Sequence, residues 1–330
     1  MSVLMFIFPI FYIGFFVFII VMCSKNSHSK KMTIKDEVSE KYNNRAYELI
    51  KNNDELDKAR RENKVKKLIS GLLIIGLFVL TIFVMANNMP FLGFLTFGGI
   101  FLVLFLSTRN KDNLLFDKIV YGIMKEYNET FSYNHKNGID KMIYREAGFE
   151  GFDRYRSDDL IKGEVKGCPF ELGEVHTERR HTDSEGRTHY TTIFHGTFIK
   201  VNLNKDFDCI IKIVNNKIKL FNKDQYITID NEAFEKIYDV FTDDKIKAMR
   251  LLTPDVTTNM IDIYNNTGLY CELKIIGTFL YIRLYTGQLF PFSFSNPEKE
   301  AKNIGRSVAV IDTVFTVVNN ILDEVERFDV

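Results

Sequence analysis

Two stretches of this 330-residue chain, residues 1–24 and 68–108, contain no Asp, Glu, Lys or Arg, so all 43 basic and 43 acidic side chains fall elsewhere. A bilayer core of about 30 Å takes about 20 apolar residues in a helix, because backbone in lipid must satisfy its hydrogen bonds within the segment. Three runs qualify: Val3 to Met22, Leu68 to Ala86, and the slightly shorter Phe91 to Ser107. The last two are separated by Asn87, Asn88, Met89 and Pro90, so the pattern predicts one membrane helix in 1–24 and a membrane hairpin over 68–108, with helices at 68–86 and 91–107. Gly71, Gly76, Gly93, Gly98 and Gly99 are small enough for close helix contact, although no strict GxxxG spacing is present. The pattern excludes a purely cytosolic enzyme, a disordered chain and a disulfide-rich secreted domain.

Lys and Arg set the expected orientation. Lys25, Lys30 and Lys31 follow the first run, Arg60, Arg61, Lys64, Lys66 and Lys67 precede the second, and Arg109 and Lys111 follow the third. The positive-inside rule then places the N-terminus outside, residues 25–67 inside and residues 109–330 in the cytosol. No basic n-region precedes Val3 and no small-residue cleavage site follows Val21, so the first run reads as a retained anchor in a multi-pass cell-membrane protein. Cys23 reads as a juxtamembrane thiol, and Cys168, Cys209 and Cys271 form no pairing pattern, as expected in a reducing compartment.

The net charge of zero is a cancellation. Residues 25–67 carry 13 basic and 8 acidic side chains, whereas residues 109–330 carry 30 basic and 35 acidic ones. The 25–67 segment has no Pro or Gly and reads as a helical basic loop, with Tyr42, Ala46, Leu49 and Leu56 on one short stripe. Its basic end is expected to lie against anionic headgroups or to serve as a topogenic signal. The excess of negative charge in 109–330 argues against a nucleic-acid partner.

Residues 109–330 alternate helix and strand signals without regular βαβ spacing, which predicts an α+β domain with a mainly antiparallel sheet packed by helices. Helices are expected over Asn113 to Tyr127, Ile139 to Ala147, from a cap at Asp243 or Asp244 to Leu252, and from Thr253-Pro254 to Gly268. Apolar residues from Ile304 to Val325 recur at spacings of three and four, which predicts a long final helix lying across a sheet. A hairpin centred on Glu185-Gly186 places Phe170 opposite Val201, Glu171 opposite Lys200 and His176 opposite His195. A second, turning at Gly277-Thr278, places Glu272 opposite Arg283 and Lys274 opposite Tyr281, with Cys271, Leu273, Ile275, Leu280, Ile282 and Leu284 on the other face.

A P-loop, GxGxxG, GxSxG, HExxH and CxxC are all absent, so no catalytic residue and no cofactor is expected. The one constellation with metal-binding chemistry is His176, His195 and Glu174, with Glu178 on the same face, where a cross-strand imidazole pair beside a carboxylate suits Zn²⁺. Polar side chains at the wet end of a hairpin, with His181 and His189 nearby, are the plainer alternative. Asp158 and Asp159, adjacent on a strand, are expected to point to opposite faces, and Arg156 to pair with a carboxylate just before the sheet begins.

The stretches Tyr155-Arg156-Ser157-Asp158-Asp159-Leu160-Ile161-Lys162-Gly163, Phe170-Glu171-Leu172-Gly173-Glu174-Val175, Phe194-His195-Gly196-Thr197-Phe198 and Arg250-Leu251-Leu252-Thr253-Pro254 resemble a bacterial family of membrane proteins classed only as a domain of unknown function. The resemblance implies N-terminal membrane helices joined to a cytosolic domain, with some members encoded beside LemA-type membrane proteins, so the partner expected here is another membrane protein, a LemA-like one being the example. It implies no reaction. The expectation that follows is a membrane-held scaffold or regulatory domain, with a hydrolase-like enzyme or an accessory subunit of a transport or envelope system as alternatives.

Overall fold

The computed structural model describes residues 36–51, 53–87, 89–108, 113–216, 226–291 and 296–327. The first apolar run and Cys23 lie outside them. Helix α1 (Asp36–Lys51) leads through Asn53, whose side chain accepts from Leu56 N–H and caps α2 (Asp54–Ala86). That helix is continuous from the polar segment into the apolar one and spans about 50 Å. It turns at Asn87 into α3 (Pro90–Thr108), where the sequence placed the hairpin.

Among the described residues one helix, α2, is long and apolar enough to cross a membrane, and only 6 % of its apolar window is buried inside the protein. Helix α3 contributes a shorter apolar run, Phe91–Leu104. Three membrane helices are therefore more than the described residues show. The hairpin has real contacts: Thr81 Oγ1 donates to Thr96 Oγ1 at 2.8 Å, and Gly93 and Gly99 lie against Met85 and Leu77. Gly71, Gly76 and Gly98 face open space.

The remainder is α+β. In chain order come α4 (Asn113–Tyr127), β1 (Ser132–Asn134), α5 (Lys141–Glu146), β2 (Arg154–Val165), β3 (Cys168–Thr182), β4 (Thr188–Asn202), β5 (Ile210–Asn215), β6 (Tyr226–Ile227), α6 (Glu232–Glu235), β7 (Tyr238–Thr242), α7 (Lys245–Leu251), α8 (Pro254–Thr267), β8 (Cys271–Ile276), β9 (Phe279–Leu284) and α9 (Pro297–Arg327). The strands form one nine-stranded sheet in the order β1-β2-β3-β4-β9-β8-β5-β7-β6, with every pairing antiparallel.

Both expected hairpin registers are present: Phe170 faces Val201 and His176 faces His195, while Glu272 faces Arg283 and Lys274 faces Tyr281. Gly277 has φ 57°, the left-handed region that a glycine-first tight turn requires. The α8 ends also follow expectation, with Pro254 opening it and Gly268, at φ 67°, closing it.

One face of the sheet carries Leu172, Ile199, Ile213, Leu273 and Ile282, packed against Ile304, Val308, Ile311, Val318 and other residues of α9. The same core takes in Ala46 and Ile50 of α1 and Leu56 of α2, all fully buried. Gly305 makes the close approach of α9 to α1 possible, since a Cβ there would lie 2.6 Å from the Asn43 nitrogen. Asp312 accepts from Tyr42 of α1 and Tyr127 of α4, at 2.8 and 2.6 Å. Within the segment that reads in sequence as a basic loop, the described residues 36–51 and 54–67 are helical, and part of them completes the core.

The other face is covered by α5 and the strap 147–153. Here Tyr144, Val175, Phe194, Phe198 and Tyr281 form a second, smaller core with partly buried Phe149 and Phe152.

Candidate functional site

In β2 the alternation expected of a strand breaks at Asp158-Asp159-Leu160-Ile161, two polar residues followed by two apolar ones. The structure places a bulge there: Asp158 faces Glu174 and Ile161 faces Leu172, so Asp159 and Leu160 together oppose Gly173. Asp159 adopts φ 56° and is 1 % exposed. Backbone bonds from Asp159 N–H to His135 and from Leu160 N–H to Asn137 hold the segment after β1 against the bulge.

The bulge corrects two expectations. Adjacent aspartates on a regular strand diverge, yet here Asp158, Asp159 and Glu174 bring one carboxylate oxygen each to within 4.8 Å of one another. Tyr155, Arg156 and Ser157 do not precede the sheet but belong to β2 inside it. Arg156 does pair with a carboxylate, Asp158, at 3.1 Å.

The carboxylates have internal partners. Asp159 Oδ1 accepts from the Tyr133 hydroxyl and meets His135 Nδ1, each at 2.6 Å. The bond to Asp159 raises the His135 pKa, and burial raises that of Asp159. Glu174 Oε1 meets His195 Nε2 at 2.8 Å, and Oε2 accepts from Leu289 N–H at 2.7 Å. Ser307 donates to the Leu289 carbonyl, and Thr197 bonds Thr286 at 3.0 Å. Glu174 therefore ties the chain leaving β9 back onto β3 and β4.

The histidines predicted to sit together do so: the His176 and His195 rings stack with centroids 4.6 Å apart and planes at 28°. Stacked imidazoles direct their nitrogens side by side rather than toward one point, His195 Nε2 is engaged by Glu174, and His176 Nε2 meets Thr192 Oγ1 at 3.1 Å. Burial, then His195, lowers the His176 pKa. The donors that converge are those of the three carboxylates, a hard, oxygen-only set better suited to Ca²⁺ or Mg²⁺ than to Zn²⁺. Glu178 lies past a second irregularity and pairs with Arg154 at 3.6 Å. His189 lies near Asp183 in the exposed turn.

Sequence reasoning missed His135, Tyr133 and the inward turn of Asp159. The broken alternation around Asp159 was the available signal for the bulge. A groove of about 560 Å³ near the β1 edge is lined by Lys162, Phe170, Glu171, Lys200 and Asn202 among others, and none of the cluster residues lines it.

Residues 192–322 match a family described as a protein of unknown function, DUF3137. The match runs from within β4 to near the end of α9. Phe194 to Phe198 and Arg250 to Pro254 fall inside it, while the stretches at 155–163 and 170–175 fall outside. No curated protein matches the chain. Among solved structures, the crystal structure of the mycobacterial trehalose monomycolate transport factor A, TtfA, is similar at 9 % identity and a TM-score of 0.33, covering 62 % of this chain and 97 % of that one.

Proposed function

We propose that this chain is an integral membrane protein that presents its α+β domain at the cytosolic face as an interaction or regulatory scaffold. The reading rests on α2. Its first half is fastened to the domain through Leu56 and through Arg60, which pairs with the fully buried Glu300 at 2.8 Å. Its second half exposes Leu68, Leu72, Ile75 and Val79, each at least 60 % bare, and α3 exposes Phe91 at 78 %. An exposed apolar surface of that kind is stable only when something apolar covers it. With the apolar run at 3–22 as a third helix, the N-terminus lies outside and the domain inside.

Crosslinking in native membranes followed by purification of the full chain tests this. A membrane-protein partner recovered in constant ratio is the expected result. Recovery of the chain alone, with a metabolite-dependent rise in melting temperature, would favour a membrane-bound enzyme. Loss of the chain when a transporter is deleted would favour an accessory subunit. A reporter fused at Val330 that is active only outside the cell would reverse the orientation.

A further inference from the structure

The face of the sheet opposite α9 carries a buried group of charges that the scaffold reading does not use. Arg283 of β9 and Glu272 of β8 face each other across the hairpin, 3 % and 0 % exposed, with Arg283 Nε donating to Glu272 Oε2 at 2.5 Å. Next along the sheet, Lys274 of β8 directly opposes Lys212 of β5. Like charges in opposed positions destabilise a sheet unless an anion offsets them.

The strap 147–153 covers this group. Glu150 accepts from Arg283 through Oε2 and from the Tyr144 hydroxyl through Oε1, the latter at 2.8 Å. Lys274 donates to the carbonyls of Ala147, at 2.9 Å, and Gly148. The Phe149 ring lies over both cations, 4.4 Å from the Arg283 guanidinium and 4.7 Å from the Lys274 ammonium. Among the described residues, three cations therefore share two carboxylates, and Lys212, partly exposed, makes no ion pair. Burial first, then Lys212 and Arg283, pulls the Lys274 pKa down to about 8 against the opposing pull of Glu150 and Glu272.

Only one of the two carboxylates, Glu272, is part of the sheet. Glu150 belongs to the strap, and it occupies the guanidinium much as a bound anion would. We propose that Lys212, Lys274 and Arg283 form a binding site for a phosphate-type oxyanion, entered from the Lys212 side, for which Glu150 of the strap competes. A tetrahedral oxyanion offers acceptors to a guanidinium fork and two ammonium groups at once, which one carboxylate cannot do.

The test uses the full chain in detergent micelles, titrated calorimetrically with inorganic phosphate against chloride at matched ionic strength. Short-chain phosphatidic acid forms a second arm, to distinguish a soluble phosphate from a lipid headgroup. The wild type is expected to bind one of the two probes. Glu150→Gln, which removes the competing charge, is expected to bind that probe about tenfold more tightly, and Lys212→Met about tenfold more weakly, the size of one charge-assisted contact. Lys212 is partly exposed and projects from the face of the sheet opposite the α9 core, so folding of that variant, checked by its melting curve, keeps the comparison interpretable. Binding of neither probe, or an unchanged affinity in either folded variant, overturns the proposal.

Discussion

Gly196 lies where β4 and the end of β9 come closest: a Cβ there would sit 1.9 Å from the Leu284 carbonyl oxygen and 2.7 Å from the Thr286 nitrogen. Both neighbours are backbone, so a methyl group forces the strands apart. Gly196→Ala is expected to destabilise the domain at or above the top of the range of about 1–3 kcal/mol for overpacking, read from denaturant melts. Glu174 acts on the same region through hydrogen bonds. Glu174→Ala removes the acceptor of Leu289 N–H and the partner of His195, for a cost of about 1.5–3 kcal/mol. The His135–Asp159 pair makes stability depend on pH. The His135 pKa is raised in the folded state above 6.5, so its contribution is complete below that value and declines as pH rises through the folded pKa. The stability difference between wild type and His135→Gln should therefore shrink with rising pH, and a difference that stays level would count against the pair.

At the scale of elements, what the sequence disclosed and what it hid have one physical source. Helix α4, α8 and the two hairpins were legible because their signals are local: period, cap, turn residue, and an apolar set that a one-residue slip would expose. The extent of strand β2 was hidden because its bulge breaks the alternation that marks a strand, and β5 because it is short and pairs only with strands remote in sequence, β7 and β8. In sequence the Glu272–Arg283 face is only the polar side of a hairpin. It is buried because a strap more than a hundred residues upstream lies over it, which no local pattern records. The docking of α1 on α9 was equally non-local, although the stripe of Tyr42, Ala46 and Leu56 hinted at it. The neighbouring contact of α2 with α9 carries a sharp prediction: Arg60→Ala removes the guanidinium that meets the buried Glu300 at 2.8 Å, and its cost in denaturant melts is expected to exceed that of Asp57→Ala, whose carboxylate is half exposed.

For the whole molecule, the domain does not begin where the apolar hairpin ends. A fragment of residues 109–330 lacks Ala46, Ile50 and Leu56, each fully buried in the same core as α9. It forfeits about 1.5–3 kcal/mol for each of Ile50 and Leu56, and a fragment starting at residue 36 should melt higher and bind less hydrophobic dye. In the membrane arrangement proposed above, the unbroken course of α2 sets the angular phase of the domain about the helix axis. One alanine inserted between Lys67 and Leu68 turns the domain by about 100° about the helix axis, whereas seven bring it back to within about 20°. Any partner embedded beside this protein would thus meet a different side of the domain in the first case and nearly the same side in the second. Crosslinking yield that falls with one added residue and recovers with seven would show that the protein works as a compass bearing as well as a tether.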